Sequence, residues 1–228
     1  MNPIIKILIL VDFFVLSGIG LINPIFAIFV KDHLAGGSVA AAGFAAAIFL
    51  LVKAILQIPI ARFMDREPAN VREFWSLIGG YGIIACATFL YAFLHTVTEL
   101  FAVQALYGMG AALAFPGFMA IFTKFSDHKN AAFSWSLYST VTIVSMAIAA
   151  SIGGFIGERY GFHILFLSVG VLTFLGFFTT LGLILFYNDL RLVEPHGLKP
   201  FWWRLMDFFG RHKHPPTPPT PSAGLLPK

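Results

Sequence analysis

The chain has 228 residues, 58% of them hydrophobic and only 11% charged, with a formal net charge of +4 and a mean hydropathy of +0.83. So few charges could not cover that much apolar surface in water, which excludes a soluble globular domain. The single cysteine, Cys86, excludes a disulfide framework, and the small basic excess follows loop topology rather than a nucleic-acid partner.

Six long apolar segments, roughly 4–30, 39–64, 74–94, 100–122, 131–157 and 162–187, are separated by short polar connections. Each is long enough as a helix to cross a hydrocarbon core of about 30 Å, which takes about 20 residues. The expected class is an all-α integral membrane protein with six transmembrane helices, in a bundle over residues 1–190. The first apolar run is too long for a signal peptide and no small-x-small cleavage site follows it, so it reads as a retained helix.

Segment one carries Asp12 about 12 Å from its start, then Gly18-Ile-Gly20, Asn23 and Pro24. Asp12 and Asn23 return to nearly the same helical face. Segment two carries Lys53 and Gln57 on one face, then Pro59, and ends in Arg62, Asp65 and Arg66. The two segments run antiparallel, which brings Asp12 and Lys53 to similar depths. Each charge alone would cost about 2.5–3.5 kcal/mol at the bilayer centre, so pairing or a water-filled cavity is required. Segment three has a glycine group, Gly79, Gly80 and Gly82, and segment four places Gln104 ahead of Gly108-Met-Gly110 and Pro116. Pro24, Pro59 and Pro116 are expected to bend their helices.

Segment five aligns Ser134, Tyr138, Thr142 and Ser145 in one polar stripe and then spaces Gly153, Gly154 and Gly157 for close helix packing. Polar stripes on four helices suggest a shared hydrated surface. The expected substrate or proton pathway comprises Asp12, Asn23, Lys53, Gln57, Gln104 and Tyr138. The competing reading is a buried ion pair with interhelical hydrogen bonds that only hold the bundle together. His95, His128 and His163 lie at helix ends, where interfacial solvation explains them. No metal-ligand spacing or nucleophile–base arrangement can be argued, so neither an enzyme nor a cofactor is expected.

Beyond the bundle, residues 191–212 include FWWRLMDFF, as expected of an amphipathic juxtamembrane helix in the headgroup region. Residues 213–228 contain HPPTPPTP and read as a disordered Pro-rich tail. If six helices alternate, every Lys and Arg except Lys31, Arg159 and the intramembrane Lys53 falls on one side. By the positive-inside rule both termini are then cytoplasmic, in a bacterial-type inner or plasma membrane.

The two halves of the membrane region echo each other. Gly18-Ile-Gly20, Pro24 and FAIF in segment one match Gly108-Met-Gly110, Pro116 and AIF in segment four, and Asp65-Arg66 matches Glu158-Arg159. Three helices intervene, so the copies would be inverted: a 3+3 inverted repeat of the kind that underlies many secondary transporters.

These residues resemble the N-terminal six-helix half of the major facilitator superfamily. The family's G-x-x-x-D-R-x-G-x-R-R loop is similar to the stretch ARFMDREPANVR, where Asp65 and Arg66 match. Its R-x-x-Q-G-x-G-A pattern is similar to QALYGMGAALAFP, with Gln104 in the arginine's place, and SIGGFIGERYGFHILF is close to its helix-five junction. The resemblance implies a transporter that moves a small solute by alternating access, with proton coupling through Asp12 favoured among open alternatives. It implies that Asp65, with Arg66 and Arg62, gates the conformation by meeting the positive start of a helix of the opposite half, near Asn130. It also implies an assembly of two six-helix halves, as a homodimer or with a separate second half. The alternative is a non-transporting half-size or truncated protein that acts as an interaction or regulatory subunit.

Overall fold

The computed structural model describes residues 2–66, 71–126 and 130–186. The expected juxtamembrane helix and Pro-rich tail, and His128, lie outside them.

Among the described residues the apolar runs form seven α-helices, three of them with a side-chain cap at the start. α1 (Pro3–Ile22) begins at Asn2, whose Oδ1 accepts the Ile4 N–H at 2.9 Å, with Pro3 where a missing N–H costs nothing. It stops where Pro24 has no donor for a helical bond; the Ile25 N–H turns to the Ile22 carbonyl instead. α2 (Phe26–His33) then resumes the path, so the first expected segment is a broken helix. α3 (Val39–Met64) starts at Ser38, whose hydroxyl caps Ala41, and α4 (Val71–Leu90) runs on into a 3-10 turn, Tyr91–Phe93. α5 (Val97–Phe125) opens with a capping box between Thr96 and Glu99. α6 (Ala131–Tyr160) and α7 (Phe162–Leu181) are joined by Gly161 alone, at φ 83°, a left-handed conformation that suits glycine. Pro59 and Pro116 lie inside the unbroken helices α3 and α5.

Among the described residues six helices are long and apolar enough to span a bilayer. α1 is the most deeply buried, while α3 and α6 show most of their surface to the surroundings. α1 packs on α6 and α7, α5 packs on α3 and α4, and α4 meets α7. Glycines permit the closest approaches: a Cβ on Gly80 would stand 2.4 Å from the Ala114 nitrogen, and one on Gly153 would stand 2.0 Å from the Leu21 oxygen. Gly157 meets the Ile25 side chain, whereas Gly154 faces open space, so the expected glycine group packs through two members.

The apolar core has two parts. One lies toward the face that carries the start of α1 and includes Leu8, Phe74, Leu77 and Phe122; the other lies toward the opposite face and includes Phe29, Tyr91, Leu100 and Phe166. Phe49 and Tyr107 stack between α3 and α5 at 4.6 Å between ring centroids. On the opposite face the connections are tied together: Ala35 donates to the His95 carbonyl at 2.9 Å and accepts from the Val97 N–H at 3.3 Å.

Candidate functional site

Asp12 lies in the interior of the bundle, 8% exposed, between three helices. Tyr81 of α4 donates its hydroxyl to Oδ1, and Tyr138 of α6 donates to Oδ2 at 2.7 Å. Each carboxylate oxygen thus receives a charge-assisted hydrogen bond from a different helix. Tyr81 is buried and Tyr138 half-buried, so the clamp is more open on the α6 side. Tyr138 is itself held among Phe118, Phe122 and Trp135, with ring centroids 5.3–5.8 Å away.

The expected Asp12–Lys53 ion pair is not formed among the described residues. Lys53 turns instead to α5, with its ammonium 4.5 Å from the centre of the Phe115 ring. An aromatic face attracts a cation, and the lysine's long stem makes the reach feasible. Lys53 and Gln57 are both half-buried on α3, as their spacing requires, and apart from the phenol clamp. The α6 stripe is mostly self-satisfied: Thr142 donates to the Tyr138 or Ser139 carbonyl and Ser145 to the Thr142 carbonyl. Of that stripe, Tyr138 is the member whose side chain reaches α1.

Asn23 and Gln104 meet at a second place. With Thr88, Tyr91, Tyr107 and Phe26 they line a pocket of ≈ 240 Å³ beside the break between α1 and α2. Asn23, expected on the Asp12 face, is the exposed residue that closes α1, because the helix ends there. Gln104 is 6% exposed. The pocket offers two amides and three hydroxyls on aromatic and aliphatic walls and has no charged lining residue.

Arg62, Asp65 and Arg66 are exposed at the end of α3, where the Asp65 N–H caps the Ala61 carbonyl at 3.0 Å. Arg72 crosses from the start of α4 to this end, donating to the Phe63 carbonyl at 2.8 Å with its guanidinium 4.4 Å over the Phe63 ring. Sequence reasoning missed Tyr81, although a lone phenol amid Gly79, Gly80 and Gly82 is an intramembrane polar signal. It also missed Glu73, buried in the first turn of α4 with Oε2 unpartnered among the described residues, because the third segment was expected to begin one residue later. The Thr88–Thr173 pair, 2.6 Å apart between α4 and α7, had no signal beyond two ordinary packing hydroxyls.

A bundle of six membrane-length helices with a clamped carboxylate in its interior defines a transporter-like integral membrane protein. A family model described as Major Facilitator Superfamily matches residues 8–201, and the chain belongs to that family. It is similar to the Inner membrane transport protein YajR of Escherichia coli (strain K12), at 26% identity over 151 residues, 66% of this chain and 32% of that protein. It is also similar to the Multidrug resistance protein 1 of Bacillus subtilis (strain 168), at 27% identity over 158 residues, 69% of this chain and 39% of that protein. The matched stretch therefore spans about a third to two fifths of the length of these relatives.

Proposed function

We propose that this chain supplies one six-helix half of a secondary transporter that moves a small solute by alternating access, with both termini cytoplasmic. The observation that carries the reading is the Asp12 clamp. A carboxylate in the membrane interior with two phenol donors and no cationic partner among the described residues is a site where a proton changes the structure. Ionised, the carboxylate accepts from both tyrosines; protonated, it donates its O–H to one phenol oxygen, and that phenol's own O–H must find another acceptor. Tyr138, half-buried, is the one with somewhere to go. The clamp is then a two-state element that links α1, α4 and α6.

The solute path runs from the Asn23–Gln104 pocket past Tyr138 toward Lys53 and Gln57. Proton coupling through Asp12 is part of this proposal, as is gating by Asp65, Arg66 and Arg62 against the positive start of α6 in the other half, near Asn130. One feature supports the inverted repeat and another a two-half assembly. The packing of α1 on α6 and α7 parallels that of α5 on α3 and α4, as an inverted repeat would give. Lys53 and Gln57 lie on one of the least buried helices, where a second half would shield them from lipid.

Three measurements test the proposal. A carbodiimide that reacts with protonated carboxyls in apolar sites should modify Asp12 at acid pH and progressively less as pH rises, with the labelled peptide around position 12 lost in Asp12→Asn. Ethidium, chosen because one relative is named for multidrug resistance, is the first solute for efflux assays in inverted vesicles. An Asp12 that is unreactive at every pH would remove it from the proton path. Native mass spectrometry in nanodiscs separates the assemblies: a dimer supports two copies of this chain, and a persistent monomer points to a separate second half or to an interaction subunit.

A further inference from the structure

Two grooves of nearly equal size open on the sides of the bundle. One, of ≈ 530 Å³, lies between α1, α6 and α7; the other, of ≈ 520 Å³, lies between α3, α4 and α5. Their walls are hydrocarbon in effect, because the hydroxyls they contain are turned to backbone. In the first groove Ser17, Ser145 and Ser168 donate to carbonyls of their own helices. In the second, Ser76 donates to the Leu113 carbonyl at 3.0 Å.

They differ at one end. The first groove has no ionisable lining residue. The second runs from Leu56 to Met64 along α3, about 12 Å, and finishes at Arg72. Arg72 is anchored on Phe63, which fixes its guanidinium at the groove's mouth. Trp75, 56% exposed, stands beside it, as an aromatic residue does at the headgroup level. Arg62 and Arg66 are exposed on the adjoining end of α3 and outweigh Asp65, which stands between them, so the charge there is positive. A hydrocarbon slot that ends in fixed positive charge matches an amphiphile whose negative charge sits at the head of its chain. A zwitterionic lipid brings an ammonium group toward the same arginines and matches it less well.

We propose that the groove between α3, α4 and α5 is a binding site for an anionic glycerophospholipid, one acyl chain lying between Leu56 and Leu113 and the phosphate taken by Arg72. The groove between α1, α6 and α7 accepts chains without selecting headgroups. The site sits where the α3–α4 connection begins, so its lipid touches the same end of α3 as Asp65.

The full chain is reconstituted in an equal mixture of phosphatidylglycerol and phosphatidylcholine with identical acyl chains, and retained lipids are counted by native mass spectrometry. The expected result is preferential retention of phosphatidylglycerol by about fivefold, the worth of one arginine at a membrane surface. Arg72→Gln should abolish the preference and Arg72→Lys should keep most of it. Leu113→Trp, which fills the slot and leaves every charge in place, should remove one selected lipid. Leu167→Trp in the other groove should leave the selection intact. Equal retention of the two lipids by the unaltered chain would overturn the proposal. So would a preference unchanged in Leu113→Trp, a readout that stands even if Arg72→Gln does not fold.

Discussion

Gly153 of α6 lies directly against the backbone of Leu21 in α1, so close that a Cβ at position 153 would stand 2.0 Å from the Leu21 oxygen. The contact falls two residues before Asn23, which closes α1, and it sets how near α6 comes to that break. Gly153→Ala should lower stability by about 1–3 kcal/mol, the range for overpacking. Gly154→Ala should cost nothing, since no atom lies within 4 Å of its added carbon. Thermal midpoints of the two variants in one detergent make the comparison.

Asp12 separates stability from transport. Asp12→Asn retains a polar partner for Tyr81 and Tyr138 and removes a charge from the membrane interior, so the fold should hold or gain while proton-coupled transport is lost. Tyr138→Phe should cost about 0.6–1.7 kcal/mol, the span of measured interhelical hydrogen bonds in membranes, with partial loss of transport. Unfolding in mixed detergent and efflux from vesicles read the two effects separately.

Exchanging Asp12 and Lys53 should not preserve function. Lysine at position 12 would meet two phenols rather than an anion, and aspartate at position 53 would face the Phe115 ring that now attracts a cation. The double exchange should be less stable than the original chain and inactive in efflux. Recovery of either property would indicate coupling between the two positions.

Thr88 and Thr173 share a hydroxyl contact at 2.6 Å, and each hydroxyl also lies within reach of carbonyls of its own helix. Each therefore has a local alternative when the other is removed. A double-mutant cycle with Thr88→Val and Thr173→Val should give a coupling of about 0.6 kcal/mol, the average for such bonds.

The capping box at the start of α5 is an exposed polar device with a clear cost. Thr96→Ala removes the acceptor for the Glu99 N–H, now at 3.3 Å, and should destabilise the helix start by about 1 kcal/mol. Hydrogen exchange at the first amides of α5 should quicken while the centre of the helix stays protected.

The number of helices and their boundaries were legible because hydropathy and helix length act locally. Each expected span is helical over most of its length, the first broken at Pro24, and starts move by up to three residues where Thr96 or Asn2 supplied a cap. The break at Pro24 was legible as a bend but not as a stop, since Pro59 and Pro116 lie in helices that continue. That difference depends on neighbours rather than on proline itself. The individual polar residues at 12, 23, 53, 104 and 138 were visible for the same local reason. Their partners were not, because a helix's rotation about its axis is fixed by packing. Opposite charge made Asp12 and Lys53 the obvious pair, yet Tyr81 and Phe115 took them, and Asn23 and Gln104 formed a pocket of their own.

Ala35 is hydrogen-bonded on both sides to the chain that enters α5, through His95 and Val97. α2 therefore cannot swing about the break at Pro24 without pulling that entry with it. The break works as a knee whose lower limb is strapped to its neighbour. A turn at Pro24 is passed to the first residues of α5 and then, seven residues or about two turns further on, to Gln104. The two amides that face one pocket, Asn23 at the knee and Gln104 beyond the strap, thus stand on two elements joined by these hydrogen bonds.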